Sequence, residues 1–212
     1  MSDPSIATSA DYADALIVAR RAKHWLFLLL MLMLLIQLAL FFTARYTTLI
    51  VSDLPAATTH PVATSSAMDK LHYLTGVTTF LGTVLPVLLS LVLLLVVNIM
   101  LVGRLIGVAR VTSAYLWCLV LALLLFPWQA FLGKVTFYSA DFRIPGVLYT
   151  WDELASQAKF AASQPEVAIL KWSRFVVFPL IALVILMMVQ AKSNRGMRQA
   201  MGQSDPDLNI TP

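Results

Sequence analysis

The apolar residues of this chain gather into four long runs that contain no charge, at 25–44, 73–103, 111–133 and 175–191. A helix rising about 1.5 Å per residue needs about 20 residues to cross a hydrocarbon core of about 30 Å, so each run predicts a membrane-spanning helix. The expected spans are 25–44, 78–101, 111–132 and 171–191, the fourth lengthened backwards by Lys171 and Arg174, whose heads snorkel toward lipid headgroups. The predicted fold class is all-α: a four-helix transmembrane bundle with a short interfacial helix in its second extracytoplasmic loop. No segment repeats at the fixed period of a solenoid or an inverted-repeat transporter.

Residues 1–24 precede the first span. Asp11 and Asp14 come before Arg20, Arg21 and Lys23 with no glycine or proline between them, a charge order that complements a helix dipole, so a cytoplasmic N-terminal helix is expected to run straight into the membrane. A cleaved signal peptide is the rival reading of this end, but its apolar region is only about 7–15 residues long and the run here is longer. The first outer loop, 46–70, is rich in Thr, Ser, Ala and Pro without periodicity and predicts a flexible connection. In the second, Thr150 and Glu153 form a capping box that predicts a helix from Trp151 to about Ala162. Ser163, Pro165 and Glu166 repeat that signal and start the helix that becomes span four. Trp151, Phe160 and Trp172 among charged residues suggest that this loop lies on the outer membrane surface. After span four, 192–212 reads as a basic and then disordered cytoplasmic tail, with Lys192, Arg195 and Arg198 on one helix face toward anionic lipid.

Charge sets the expected orientation. Basic residues cluster before span one, in the link after span two (Arg104, Arg110) and after span four, which places both termini in the cytoplasm, with a bacterial inner membrane as the expected location. The composition agrees: 59% hydrophobic and 12% charged residues, with a mean hydropathy of +0.82, stand far from the roughly 25% charged residues of a soluble domain. The net charge of +4 is confined to the edges of apolar runs, which reads as headgroup anchoring and not as a nucleic-acid surface. A single cysteine, Cys118, excludes an intrachain disulfide and a thiolate cluster and reads as a small apolar packing residue.

Candidate chemistry is sparse. His24, His60 and His72 fall at or outside span ends, where they cannot ligate a haem between facing helices, and no metal spacing or cofactor motif is present, so no cofactor is expected. None of the uncharged runs holds an Asp, Glu, Lys or Arg, which disfavours an ion-coupled carrier. Gln37, Ser90, Asn98, Gln129 and Gln190 are the polar residues expected to bond between helices. Gly103 and Gly107, and a stripe of Gly76, Thr79, Thr83, Pro86 and Ser90, suit close helix approach. Pro86, Pro127 and Pro179 fall one each in spans two, three and four, all expected in the outer half of the bilayer. Proline kinks there would splay the helices and open a cleft lined by Pro86, Pro127, Trp128, Gln129 and Pro179; simple adjustment of packing is the competing reading.

The sequence therefore points first to a non-enzymatic multi-pass membrane protein, an accessory subunit or scaffold of a membrane complex. Its alternative is a lipid or hydrophobic-molecule binder, or an uncoupled carrier, using the proline-lined cleft. A membrane enzyme ranks third, because Asp141, Asp152, Glu153 and Glu166 have no histidine or nucleophile at a recognisable spacing. The expected partners are membrane lipids and other membrane subunits, with no nucleic acid.

Overall fold

Helix α1 runs unbroken from Ser9 to Tyr46, because no glycine or proline interrupts its 38 residues. In the computed structural model, which describes residues 9–47, 64–126, 128, 147–158 and 165–202, the chain is all-α. No strand occurs among the described residues, and four helices are long and apolar enough to cross a membrane. After α1 come α2 (Thr64–Val102), α3 (Val108–Leu125), a short α4 (Trp151–Gln157), α5 (Pro165–Trp172), a π-helical turn (Ser173–Val177) and α6 (Phe178–Ala200). These features make it a multi-pass membrane protein.

Two departures from the sequence reading have local causes. Helix α2 starts at Thr64, inside the stretch expected to be a flexible connection, because Ala67, Met68, Lys70 and Leu71 are good helix formers and no glycine or proline occurs before Gly76. At 38 and 39 residues, α1 and α2 are each almost twice as long as a hydrocarbon core requires. Pro179 enters the first turn of α6 behind a widened π-helical turn, in which the Phe178 N–H donates to the Ser173 carbonyl five residues back, a bonding pattern that accommodates a proline's missing donor. Helix α4 starts where the capping box places it, with the Glu153 N–H donating to Thr150 Oγ1 at 3.4 Å. Its expected continuation to about Ala162, the Ser163 cap, His60 and the tail from 203 lie outside the described residues.

The chain divides into two units. One comprises Met1–Leu29, Leu85–Leu123 and Val184–Pro212, and the other Leu30–Val84 and Leu124–Leu183. The first has a core of Leu16, Ala19, Val96, Val97, Met100, Val111 and Met197, contributed by α1, α2, α3 and α6. The second is centred on Leu40, Phe41, Ala44, Tyr149, Leu154, Ala158 and Phe175.

Candidate functional site

In the second unit Phe41, Tyr149, Trp172 and Phe175 form one connected aromatic group. Phe41 stacks on Phe175 with ring centroids 4.8 Å apart and meets Trp172 edge-on at 5.8 Å, while Tyr149 packs edge-on to Phe175 at 5.4 Å. The Tyr149 hydroxyl donates to the Gln37 main-chain carbonyl of α1. Burial pushes the Tyr149 phenol well above the usual tyrosine range, with the Glu153 charge adding to the shift and a backbone hydrogen bond at Phe41 opposing it. One turn before Phe41, the Gln37 side chain is 0% exposed, and neither its Nε2 nor its Oε1 has a hydrogen-bond partner. An amide so placed is costly, since buried polar groups are nearly always paired.

Close to this group, Arg174 in the π-helical turn forms an ion pair with Glu153 of α4, 2.5 Å from Nη2 to Oε1. Arg45 donates to the Ala158 carbonyl at 3.4 Å, fixing the other end of α4. The 147–149 segment is held against α2, where the Thr79 hydroxyl donates to the Tyr149 carbonyl at 3.0 Å and Leu148 lies where a Cβ on Gly82 would stand, 2.9 Å away. The small-residue stripe of α2 is thus put to use in part, with Gly82 added to it, whereas Gly76 has nothing within 4 Å of a Cβ position.

The first unit contains a different polar group. Lys23 is only 1% exposed and donates to Ser193 Oγ at 2.7 Å and to Asn194 Oδ1 at 2.5 Å. Ser193 in turn donates to the Gln190 carbonyl, so its proton points away from the lysine and the pair is not arranged for nucleophilic attack by the serine. Lys192 donates to Ser113 Oγ at 3.0 Å and lies 5.7 Å from the Trp117 ring centroid. His24 and Gln190 approach to 3.4 Å. The backbones of α6 and the 103–107 link meet closely: a Cβ on Gly196 would stand 3.1 Å from the Gly107 carbonyl oxygen.

Also in this unit, α2 presents an apolar face. Leu91, Leu94, Leu95, Asn98, Leu101 and Val102 are all exposed, and at 100° per residue they fall within about 120° of one side of the helix. The register of this face against α1 is fixed by Gly103, which lies beside Tyr12, and by the packing of Val96, Val97 and Met100 with Leu16 and Ala19. The last two turns of α2 therefore run alongside residues 12–19 of α1, on the N-terminal side of Arg20, Arg21 and Lys23.

Of the residues expected to line a cleft, Pro86 is buried in α2 within the first unit, where its carbonyl accepts from Cys118 Sγ at 3.8 Å. Trp128 and buried Pro179 belong to the second unit, Trp128 packing edge-on to Phe126 at 4.9 Å. Pro127 and Gln129 lie outside the described residues. No local pattern in the sequence marks the roles of Lys23, Tyr149 or the Arg174–Glu153 pair. In the sequence Lys23 is one more headgroup cation, although Ser193 and Asn194, between Lys192 and Arg195, are the only adjacent uncharged polar pair on that stretch of α6. Among the described residues no three of His, Cys, Asp and Glu come together as metal ligands would. The chain matches no known family model, no curated protein and no solved structure.

Proposed function

We propose that this chain is a non-enzymatic accessory subunit or scaffold of a membrane complex, and that it works by presenting helix faces to partners. The observation that carries this reading is the exposed face of α2, which stays apolar beside the part of α1 that precedes its cationic residues. Lipid-facing leucines are ordinary within a span, but Val102 at 71% exposure and Ile106 at 77% sit at the very end of α2 and in the link after it. Contiguous exposed apolar surface of this kind marks contact with another protein or with the membrane, and the subunit reading takes the first. Both termini on the cytoplasmic side of a bacterial inner membrane, the orientation expected from the basic residues, would put this face on the cytoplasmic side.

A second reading, binding of a lipid or other hydrophobic molecule, is favoured by the unpaired Gln37 amide within the aromatic unit. Purification of the full chain from native membranes in mild detergent separates the two. A protein that co-purifies in fixed ratio is the expected result. A chain that emerges alone with a retained lipid or quinone in stoichiometric amount would replace the subunit reading with the binding one.

A further inference from the structure

We propose that the first unit binds one anionic phospholipid where α3 begins and α6 leaves its apolar run, with the phosphate held by Lys192 and Arg195 and the acyl chains along α6. The proposal stands independently of the subunit reading.

Two hydrogen bonds between helices set the level of the bilayer surface here. Lys192 is the first residue after the uncharged run 175–191, and it donates at 3.0 Å to Ser113 Oγ, near the start of the run 111–133. Lys23, just before the run that starts at Trp25, donates to the Ser193 hydroxyl. Helices α1, α3 and α6 thus pass from charged to apolar sequence at one level. Trp117, one turn beyond Ser113 on α3, lies at the depth where tryptophan meets headgroups.

At that level Lys192 is positioned but not neutralised. Ser113 accepts one of its hydrogen bonds and the Trp117 ring lies beside it, 5.7 Å away at the centroid, yet both are uncharged, and a lysine head has donors to spare. Neither α3 nor α6 contains an Asp or Glu that could balance it. Arg195 follows one turn later on the same side of α6 and is exposed, so an ammonium and a guanidinium are presented together, a pair suited to the oxygens of one phosphate. Because Ser113 and Trp117 already hold the lysine, little ordering remains to oppose binding. In the other direction along α6, exposed Val184 and Met188 lie within about 80° of Lys192 around the helix. An occupant of this face is anionic at one end and apolar at the other, which is the chemistry of a phospholipid and not of free phosphate or an acidic protein segment.

Native mass spectrometry of the full chain in mild detergent tests this. Phosphatidylglycerol is the probe, phosphatidylcholine the control without net charge, and inorganic phosphate the soluble competitor. The expected result is one phosphatidylglycerol retained at a concentration where phosphatidylcholine is not, and not displaced by an equal concentration of inorganic phosphate. Lys192→Gln, which keeps a donor for Ser113, combined with Arg195→Gln should weaken retention about thirtyfold; Arg195→Gln alone, at an exposed position, should weaken it about fivefold. Arg21→Gln with Arg104→Gln, which removes two exposed cations elsewhere in the unit, should leave it unchanged. Equal retention of the two lipids, equal losses from the two double variants, or displacement by inorganic phosphate would each overturn the proposal. So would a co-purifying protein lost with Lys192 and Arg195, which would assign these cations to a protein contact. The subunit reading is judged separately, by whether any protein co-purifies in fixed ratio.

Discussion

Lys23 Nζ lies 2.7 Å from Ser193 Oγ, so a buried lysine amine on α1 is held by a neutral hydroxyl on α6. Its other acceptor, Asn194 Oδ1, is neutral as well. A buried amine is tolerated only through the hydrogen bonds it makes, and removing an acceptor is worse than removing the amine itself.

Ser193→Ala should therefore lower stability by about 1–3 kcal/mol, the cost of leaving a buried polar group short of a partner. Lys23→Met, which removes the amine and keeps the length of the side chain, should cost less than Ser193→Ala or stabilise. Thermal unfolding of both variants in detergent micelles gives the order. A Lys23→Met variant clearly less stable than Ser193→Ala would mean that the amine is stabilised by a partner other than these two acceptors.

The 103–107 link and α6 meet at two glycines, and neither has room for a methyl group. Gly107 has φ +96°, which favours glycine, and a Cβ there would stand 2.7 Å from the Gly196 carbonyl oxygen. A Cβ on Gly196 would stand 2.6 Å from Val111 Cγ2. Gly107→Ala and Gly196→Ala should each destabilise by about 1–3 kcal/mol. Gly76→Ala, placed in a helix with open space around it, should instead stabilise by about 0.5–1 kcal/mol. Equal melting temperatures for the three would remove the steric argument.

Arg174 and Glu153 join the π-helical turn to α4, and both side chains are largely buried. Either Glu153→Gln or Arg174→Met alone breaks this buried ion pair and should cost about 3–5 kcal/mol, while the double variant Glu153→Leu with Arg174→Met should recover most of that loss. A double-mutant cycle on thermal stability measures the coupling directly; additive losses would show that the two side chains act independently.

The four spans were legible in the sequence because a charge-free run of about 20 residues has few other fates. The Thr150 cap was legible for a similarly local reason, since its donor and acceptor are three residues apart. The long-range features were not. That Lys23 turns inward while Arg21 stays exposed depends on Ser193 and Asn194, some 170 positions away. The π-helical turn before Pro179 was foreshadowed only as a kink, because periodicity does not reveal in which direction a helix relaxes around a proline. Gln37 was read as an interhelical hydrogen-bonding residue. Its main-chain carbonyl does accept a bond, from Tyr149, but its side-chain amide does not take part.

Tyr149 ties pH to stability. Its pKa is raised in the folded chain, chiefly by burial, so this group contributes stability that is fully present below the ordinary tyrosine pKa of about 10 and is lost as pH rises from there toward the folded value. Comparing wild type with Tyr149→Phe isolates the effect. At neutral pH the phenylalanine should cost about 0.5–1.5 kcal/mol, the worth of the hydroxyl bond to the Gln37 carbonyl. Between pH 9 and 11 the difference should shrink, because only the wild type has a phenol to ionise on unfolding. A gap that is constant across this range would place the phenol in contact with water.

Gln37 gives the sharpest test of whether the second unit is built for packing or for binding. Its side chain lies on the same helix face as Phe41, one turn away, and neither amide atom is hydrogen-bonded. Leucine has nearly the same volume and no polar atoms, so Gln37→Leu removes an unpaired donor and acceptor without leaving a cavity. The variant should gain about 1–3 kcal/mol in thermal stability in detergent. That gain by itself would establish that the amide is a cost to the fold, and a costly buried group is retained where activity requires it. Its use then shows in the ligand content: if Gln37 holds a hydrophobic molecule, lipid or quinone extracted from the purified wild type should be missing from Gln37→Leu. A variant that gains stability and retains the same extract would leave the amide with no binding role. A variant that loses stability would show that the amide is already satisfied in the membrane, by a water or a ligand polar group, and that its isolation in the dry unit is not its resting state.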